Sequence, residues 1–144
     1  DRLVNAAYVF FFFIRDSIII DMGTATTFCT VTSSGDYLGG VIMPGISTSS
    51  QALFQKAAKL QSVEICKQDK IMGNSTIEAV ESGIYFSNLY AIIGIINGIK
   101  KELKMDDCLI VGTGGYATLF AKDVFDVFDN ELAMKGLKYI ADIN

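Results

Sequence analysis

The sequence predicts one α/β domain of 144 residues, on three observations. The stretch 17–43 has β-type composition with one clear hairpin turn. Two later stretches carry apolar residues at helical spacing. A final apolar run, 108–111, leads straight into glycines and then a further helix. At 51% apolar residues the chain suits a well-packed globule, and its length is enough for a core of its own.

Taken in order, a helix opens the chain within 1–16, with Leu3, Val4 and Ala7 behind Asp1-Arg2. The apolar run Tyr8 to Ile14 is far shorter than the roughly 20 residues that span a bilayer, and Arg15-Asp16 ends it. Ile18-Ile19-Ile20-Asp21 reads as a strand buried on both faces, since consecutive β-branched residues suit a doubly covered sheet. A second strand over 27–32, a turn at Ser33-Ser34-Gly35-Asp36 and a third strand over 37–43 follow. Pro44-Gly45 closes the sheet run.

The period then changes. Leu53, Phe54, Ala57, Ala58 and Leu60 predict a helix over 48–60, and 63–66 a short strand. Ser75-Thr76-Ile77-Glu78 has capping-box spacing and starts a long helix towards Leu103, with Ile77, Val80, Ile84, Ala91, Ile95 and Ile99 along one face. Lys100, Lys101 and Lys104 favour its C-terminal end. Gly83, Gly94 and Gly98 inside it predict either close approach of another helix, within the chain or across a dimer, or a kink. Strand 108–111, a helix over 116–121, a strand over 124–128 and a helix over 131–143 complete the chain. No repeat or linker divides it.

The net charge is −4, with a sequence pI near 4.7 and scattered basic residues. No basic stripe marks a nucleic-acid partner. An acidic chain still binds phosphorylated small molecules through backbone donors. The absence of histidine removes Ser-His and Cys-His catalysis and His-based zinc sites from this chain, leaving a carboxylate as the simplest base. Cys29, Cys66 and Cys108 have no metal-ligand spacing and read as small apolar core residues in a reducing cytoplasm.

Two turns stand out chemically. Asp21-Met22-Gly23-Thr24-Ala25-Thr26-Thr27 delivers a carboxylate, a glycine and hydroxyls to one strand end. Gly23 lets a ligand approach the backbone, Thr24, Thr26 and Thr27 suit phosphate oxygens, and Asp21 suits a cation. The competing reading is a hairpin whose polar residues only satisfy the turn. Gly112-Thr113-Gly114-Gly115 follows a buried strand and admits a flat or anionic ligand, or is a plain strand-to-helix turn. It matches neither the dinucleotide fingerprint nor a P-loop. Two such turns in one sheet point to a shared nucleotide crevice at the carboxyl ends of the strands. Asp1-Arg2 is either a helix cap or a base paired with a carboxylate grip. Thr76 is either a helix-start residue or an anion contact.

The motifs Asp1-Arg2-Leu3-Val4-Asn5-Ala6, Asp21 to Phe28, Leu38-Gly39-Gly40-Val41-Ile42-Met43-Pro44-Gly45, Asn74-Ser75-Thr76-Ile77-Glu78-Ala79, Ser82-Gly83, Thr113-Gly114-Gly115-Tyr116-Ala117 and Gly136-Leu137 resemble, in this order, the type III pantothenate kinases. The resemblance covers nearly the whole chain. It implies an RNase H-like fold of the actin and sugar-kinase superfamily, with 1–144 as the second of two such domains and the first, N-terminal domain absent.

It further implies ATP-dependent phosphorylation of pantothenate, the first step towards coenzyme A, by a cytoplasmic homodimer with no membrane partner. By this resemblance Asp1 is the general base and, with Arg2 and Thr76, a substrate contact. Gly23, Thr24, Thr26, Gly114 and Gly115 belong to the ATP site, served by a divalent cation such as Mg2+. Asp21 is the site of a monovalent cation, K+ or NH4+. The chain departs from the family at Asn97, where members commonly carry Asp, and in the bulky run Phe10 to Phe13. The sequence starts at Asp, which fits a chain that begins inside a longer protein and is a half-enzyme by itself. Competing expectations are a non-catalytic relative with a binding or regulatory role, a kinase of the same superfamily with another acceptor, and a plain interaction domain.

Overall fold

Ser17–Met22 forms the central strand β1. Ile18, Ile19, Ile20 and Met22 have no exposed surface, as three successive Ile residues in a doubly covered strand require. In the computed structural model, which describes residues 2–57, 59–60 and 62–144, Ala25–Val31 (β2) and Tyr37–Pro44 (β3) continue the sheet antiparallel on one side of β1. Leu109–Thr113 (β4) and the short Val127–Phe128 (β5) pair in parallel on the other. The order is β3-β2-β1-β4-β5. Three antiparallel strands followed by α-β alternation is the predicted mixed α/β arrangement, in the pattern of an RNase H-like domain.

Helices cover both faces. Arg2–Phe13 (α1) and Leu132–Ile143 (α5) pack together on one face, where Ala6, Val9 and Leu132 bury against Ile19, Val31, Leu109 and Val111. Ile46–Lys56 (α2) and Thr76–Leu103 (α3) cover the other, with Ile46, Ile84, Tyr85, Ile92 and Ile96 against Ile18, Ile20, Met22 and Phe28. By length and composition α3 is apolar enough to cross a membrane. Here it lies along the sheet, with Ser82, Ile84, Tyr85, Asn88, Ile92 and Ile96 buried.

Several expectations need correction. The buried face of α3 overlaps the predicted one, with Ile84 in the core and Val80, Ile95 and Ile99 packed against it. It is centred, however, on Tyr85, Asn88, Ile92 and Ile96, and Ile77 is 47% exposed. Large apolar residues on several sides of this helix hid which stripe meets the sheet. A Cβ at Gly83, Gly94 or Gly98 would meet nothing within 4 Å, so among the described residues no helix approaches closely there. Residues 63–66 form no strand, and Cys66 is exposed, whereas Cys29 and Cys108 are buried. Burial pushes both of those thiols above their ordinary pKa, which keeps them protonated and inert at neutral pH. The expected helix over 116–121 is a 3-10 turn, Ala117–Leu119, followed by the single α-turn Ala121–Val124 (α4). The predicted cap on α3 is present, since the Glu78 N–H donates to Ser75 Oγ. The returning Glu78 carboxylate accepts from the Asn74 N–H, one residue ahead of the cap.

Candidate active site

Parallel strands β1 and β4 end side by side, with Asp21 opposite Thr113. The two glycine turns therefore form one crevice edge, as a shared site at the carboxyl ends of a sheet requires. They also touch. The Tyr116 N–H donates to the Met22 carbonyl at 3.2 Å. Gly114 adopts φ +95°, and a Cβ there would lie 2.6–2.7 Å from Met22 backbone atoms. Only glycine fits that position without displacing the strand. Gly115 is exposed, and a Cβ on it would meet nothing within 4 Å. The short 3-10 turn behind it has little dipole to offer an anion, so this edge suits a flat ligand better than a phosphate.

The β1–β2 turn is braced from behind. The Gly23 N–H donates to the Ala25 carbonyl at 3.1 Å, and the Thr24 carbonyl accepts from the Gly45 N–H at 3.1 Å. It also accepts from Thr48 Oγ1 at 2.8 Å. A Cβ at Gly45 would fall 2.5 Å from the Gly23 carbonyl oxygen, so the glycine lets the start of α2 sit against the turn. Thr24 is exposed at the tip, and its hydroxyl is open to a ligand. Gly23 contributes shape, since its N–H is engaged within the turn. Thr26 is paired in register with Met22 and shares its core-facing side. It is fully buried, with Oγ1 lacking a partner. The expected phosphate contact at Thr26 therefore lies inside the core and not on the crevice surface. Strand alternation places Ala25 and Thr27 outward and Thr26 inward.

Asp21 falls on the α1 face of the sheet, beside Thr27 and Thr113 in register. Its Oδ2 accepts from Asn5 Nδ2 at 3.3 Å. Asn5 is 1% exposed, and its Oδ1 is buried with no partner. An unmatched buried acceptor costs about 1–3 kcal/mol, so this oxygen calls for an electropositive neighbour. Asp21, the Asn5 carbonyl oxygen and the hydroxyl residues around them form a hard oxygen set. Among the described residues no group of three His, Cys, Asp or Glu gathers anywhere. One carboxylate with neutral oxygens balances a single positive charge, and these residues fit a monovalent cation.

Arg2 is exposed at the start of α1. Its carbonyl lies 3.9 Å from Cys29 Sγ, which donates to it. Asp1 lies outside the described residues, and so does its assignment as base. Thr76 is exposed at the first turn of α3, in an open groove of about 530 Å³ with Leu53, Ala79, Val80, Gly83 and Ser87. None of Asp21, Thr24 or Gly115 lines that groove. The chain thus brings together Asp21, Gly23, Thr24, Gly114 and Gly115, and sets Thr76 apart. Asn5, Gly45 and Thr48 were not singled out by the sequence as site residues. Asn5 and Gly45 enter the sequence reading as members of the motifs that carry the family resemblance, with no site role given to either.

A family model described as type III pantothenate kinase matches residues 1–98. The chain belongs to the type III pantothenate kinase family. A type III pantothenate kinase of Dehalococcoides mccartyi is 42% identical over 146 residues, covering 100% of this chain and 55% of that protein. One from Shouchella clausii is 38% identical, again across 100% of this chain and 57% of its own length. The chain therefore spans about half the length of the type III pantothenate kinases it matches. The crystal structure of a conserved putative Baf family transcriptional activator from Campylobacter jejuni superposes with a TM-score of 0.62 at 24% identity. It covers 99% of this chain and 64% of that one, a likeness of fold.

Proposed function

We propose that this chain is the C-terminal, second RNase H-like domain (1–144) of a cytoplasmic pantothenate kinase, and that it supplies half of an ATP-dependent phosphotransfer site. The observation that carries the reading is the junction of Asp21, the exposed Thr24 and the open Gly115 at the paired ends of β1 and β4. Phosphoryl transfer asks mainly for positioning and for neutralisation of charge, and those residue types offer both without histidine.

In this reading Asp1 accepts the proton of the pantothenate hydroxyl as its oxygen attacks the γ-phosphorus of ATP, and ADP leaves. Arg2 holds the pantothenate carboxylate, Thr24 contacts a phosphate, and the Gly114-Gly115 edge receives the adenosine end. A divalent cation such as Mg2+ travels with the ATP phosphates. A monovalent cation, K+ or NH4+, held by Asp21 supplies fixed positive charge beside them. The remaining phosphate contacts come from the part of the family's length that these 144 residues do not span.

Thr76 reaches substrate in a homodimer. It shares a helical stripe with Ala79, Gly83, Ser87, Tyr90 and Gly94, all exposed. The space over Gly83 and Gly94 is open, which leaves room for a second copy. The acidic charge gives no support to a nucleic-acid partner, and no membrane partner is proposed.

The half-enzyme reading has a direct check. The purified 144-residue chain is expected to release no ADP in response to pantothenate. Pantothenate-dependent ADP release by that chain would show that it is catalytically complete.

A further inference from the structure

We infer that Asn5 is a ligand of the monovalent cation at Asp21, supplying a neutral amide oxygen from helix α1 to an ion otherwise held from the sheet. The inference rests on the cation reading above and adds a second protein ligand from a different element. Asn5 is buried in the first turns of α1, where its neighbours Ala6 and Val9 pack on the sheet. A polar side chain in that seat is unfavourable unless its groups are matched. One group is matched, because Nδ2 donates to Asp21 Oδ2 at 3.3 Å. The other, Oδ1, is buried without a partner. The amide orientation follows from Asp21, since a carboxylate oxygen attracts the NH2 end and repels the carbonyl end.

An unpartnered carbonyl oxygen next to a half-buried carboxylate is attractive to a cation and hostile to an anion. Thr113 lies opposite Asp21 in the parallel pairing and is 3% exposed, so the polar surroundings extend onto β4. The same amide ties α1 to β1. Filling the cation site thereby fixes helix α1, which begins at Arg2, relative to the crevice.

The test is the melting temperature of the 144-residue chain as KCl replaces choline chloride at constant ionic strength. Asn5→Leu, Asn5→Asp and Asp21→Asn are compared with the wild type. A saturable rise is expected for the wild type and none for Asp21→Asn. In Asn5→Leu, which keeps the volume and removes the oxygen, the K+ midpoint is expected to move to about 10–100-fold higher concentration. Asn5→Asp keeps an oxygen and adds charge, so its midpoint is expected below that of the wild type. It carries the test if the Leu variant fails to fold.

An unchanged midpoint in Asn5→Leu, with the response lost in Asp21→Asn, would overturn the inference and leave the Asp21 reading standing. Asn5 Oδ1 would then be merely hydrated. A midpoint for Asn5→Asp equal to or above the wild type would also count against it. No K+ response in the wild type would overturn this inference together with the cation assignment.

Discussion

Asp21→Asn, placed in a protein of the full family length, is expected to lower pantothenate-dependent turnover on the order of 10²-fold or more, as loss of one fixed charge at a phosphoryl-transfer site does. The substitution is nearly isosteric. Asn5 Nδ2 still finds an acceptor at that position, so the fold should hold and circular dichroism should match the wild type. What disappears is the single carboxylate charge among the described residues of the crevice edge. Residual activity should also stop responding to K+ or NH4+. Retained turnover with retained cation dependence would mean that the ion binds elsewhere.

Gly114→Ala is expected to destabilise the domain by roughly 3 kcal/mol, combining backbone strain with overpacking. Two causes act together. The φ of +95° is one that residues with a Cβ rarely adopt. The new methyl would also sit 2.6–2.7 Å from Met22 N, C and O, and these are strand atoms with no rotamer to change. Relief requires the β4 turn to withdraw from the end of β1, which separates the two halves of the crevice edge. A urea melt should therefore show a lower midpoint, and nucleotide affinity should fall with it. Gly115→Ala is the matched control, because a Cβ there meets open space and stability should change little.

The sheet was legible because its signals are local. Ile18-Ile19-Ile20 marked a doubly covered strand, and the glycine-containing turn after Thr32 closes as expected, with the Gly35 N–H donating to the Thr32 carbonyl at 3.0 Å. The long helix was equally legible in extent, since Ser75 and Glu78 announce its start and Lys104, at φ 54°, ends it. Its orientation was only partly so, since Ile84 is in the core but Ile77 is not. Ile77, Tyr90 and Ile93 are exposed at 38–53%, so apolar character alone does not say which stripe meets this sheet.

The site was half legible for a related reason. Asp21, Thr24 and the glycines sit in turns whose composition is unusual for a structural role. Thr26 looks the same on paper as Thr24, yet strand alternation buries it. Asn5, Gly45 and Thr48 act through long-range hydrogen bonds to Asp21 and Thr24, which no local pattern encodes.

The most direct measurement is ADP release by a full-length protein containing this domain, with ATP and Mg2+, in the presence and absence of pantothenate and of K+ or NH4+. The account predicts that release needs both pantothenate and the monovalent cation, with phosphopantothenate as the product. ATP binding without pantothenate-dependent ADP release under either ionic condition would contradict it, and would point to another acceptor or to a non-catalytic role.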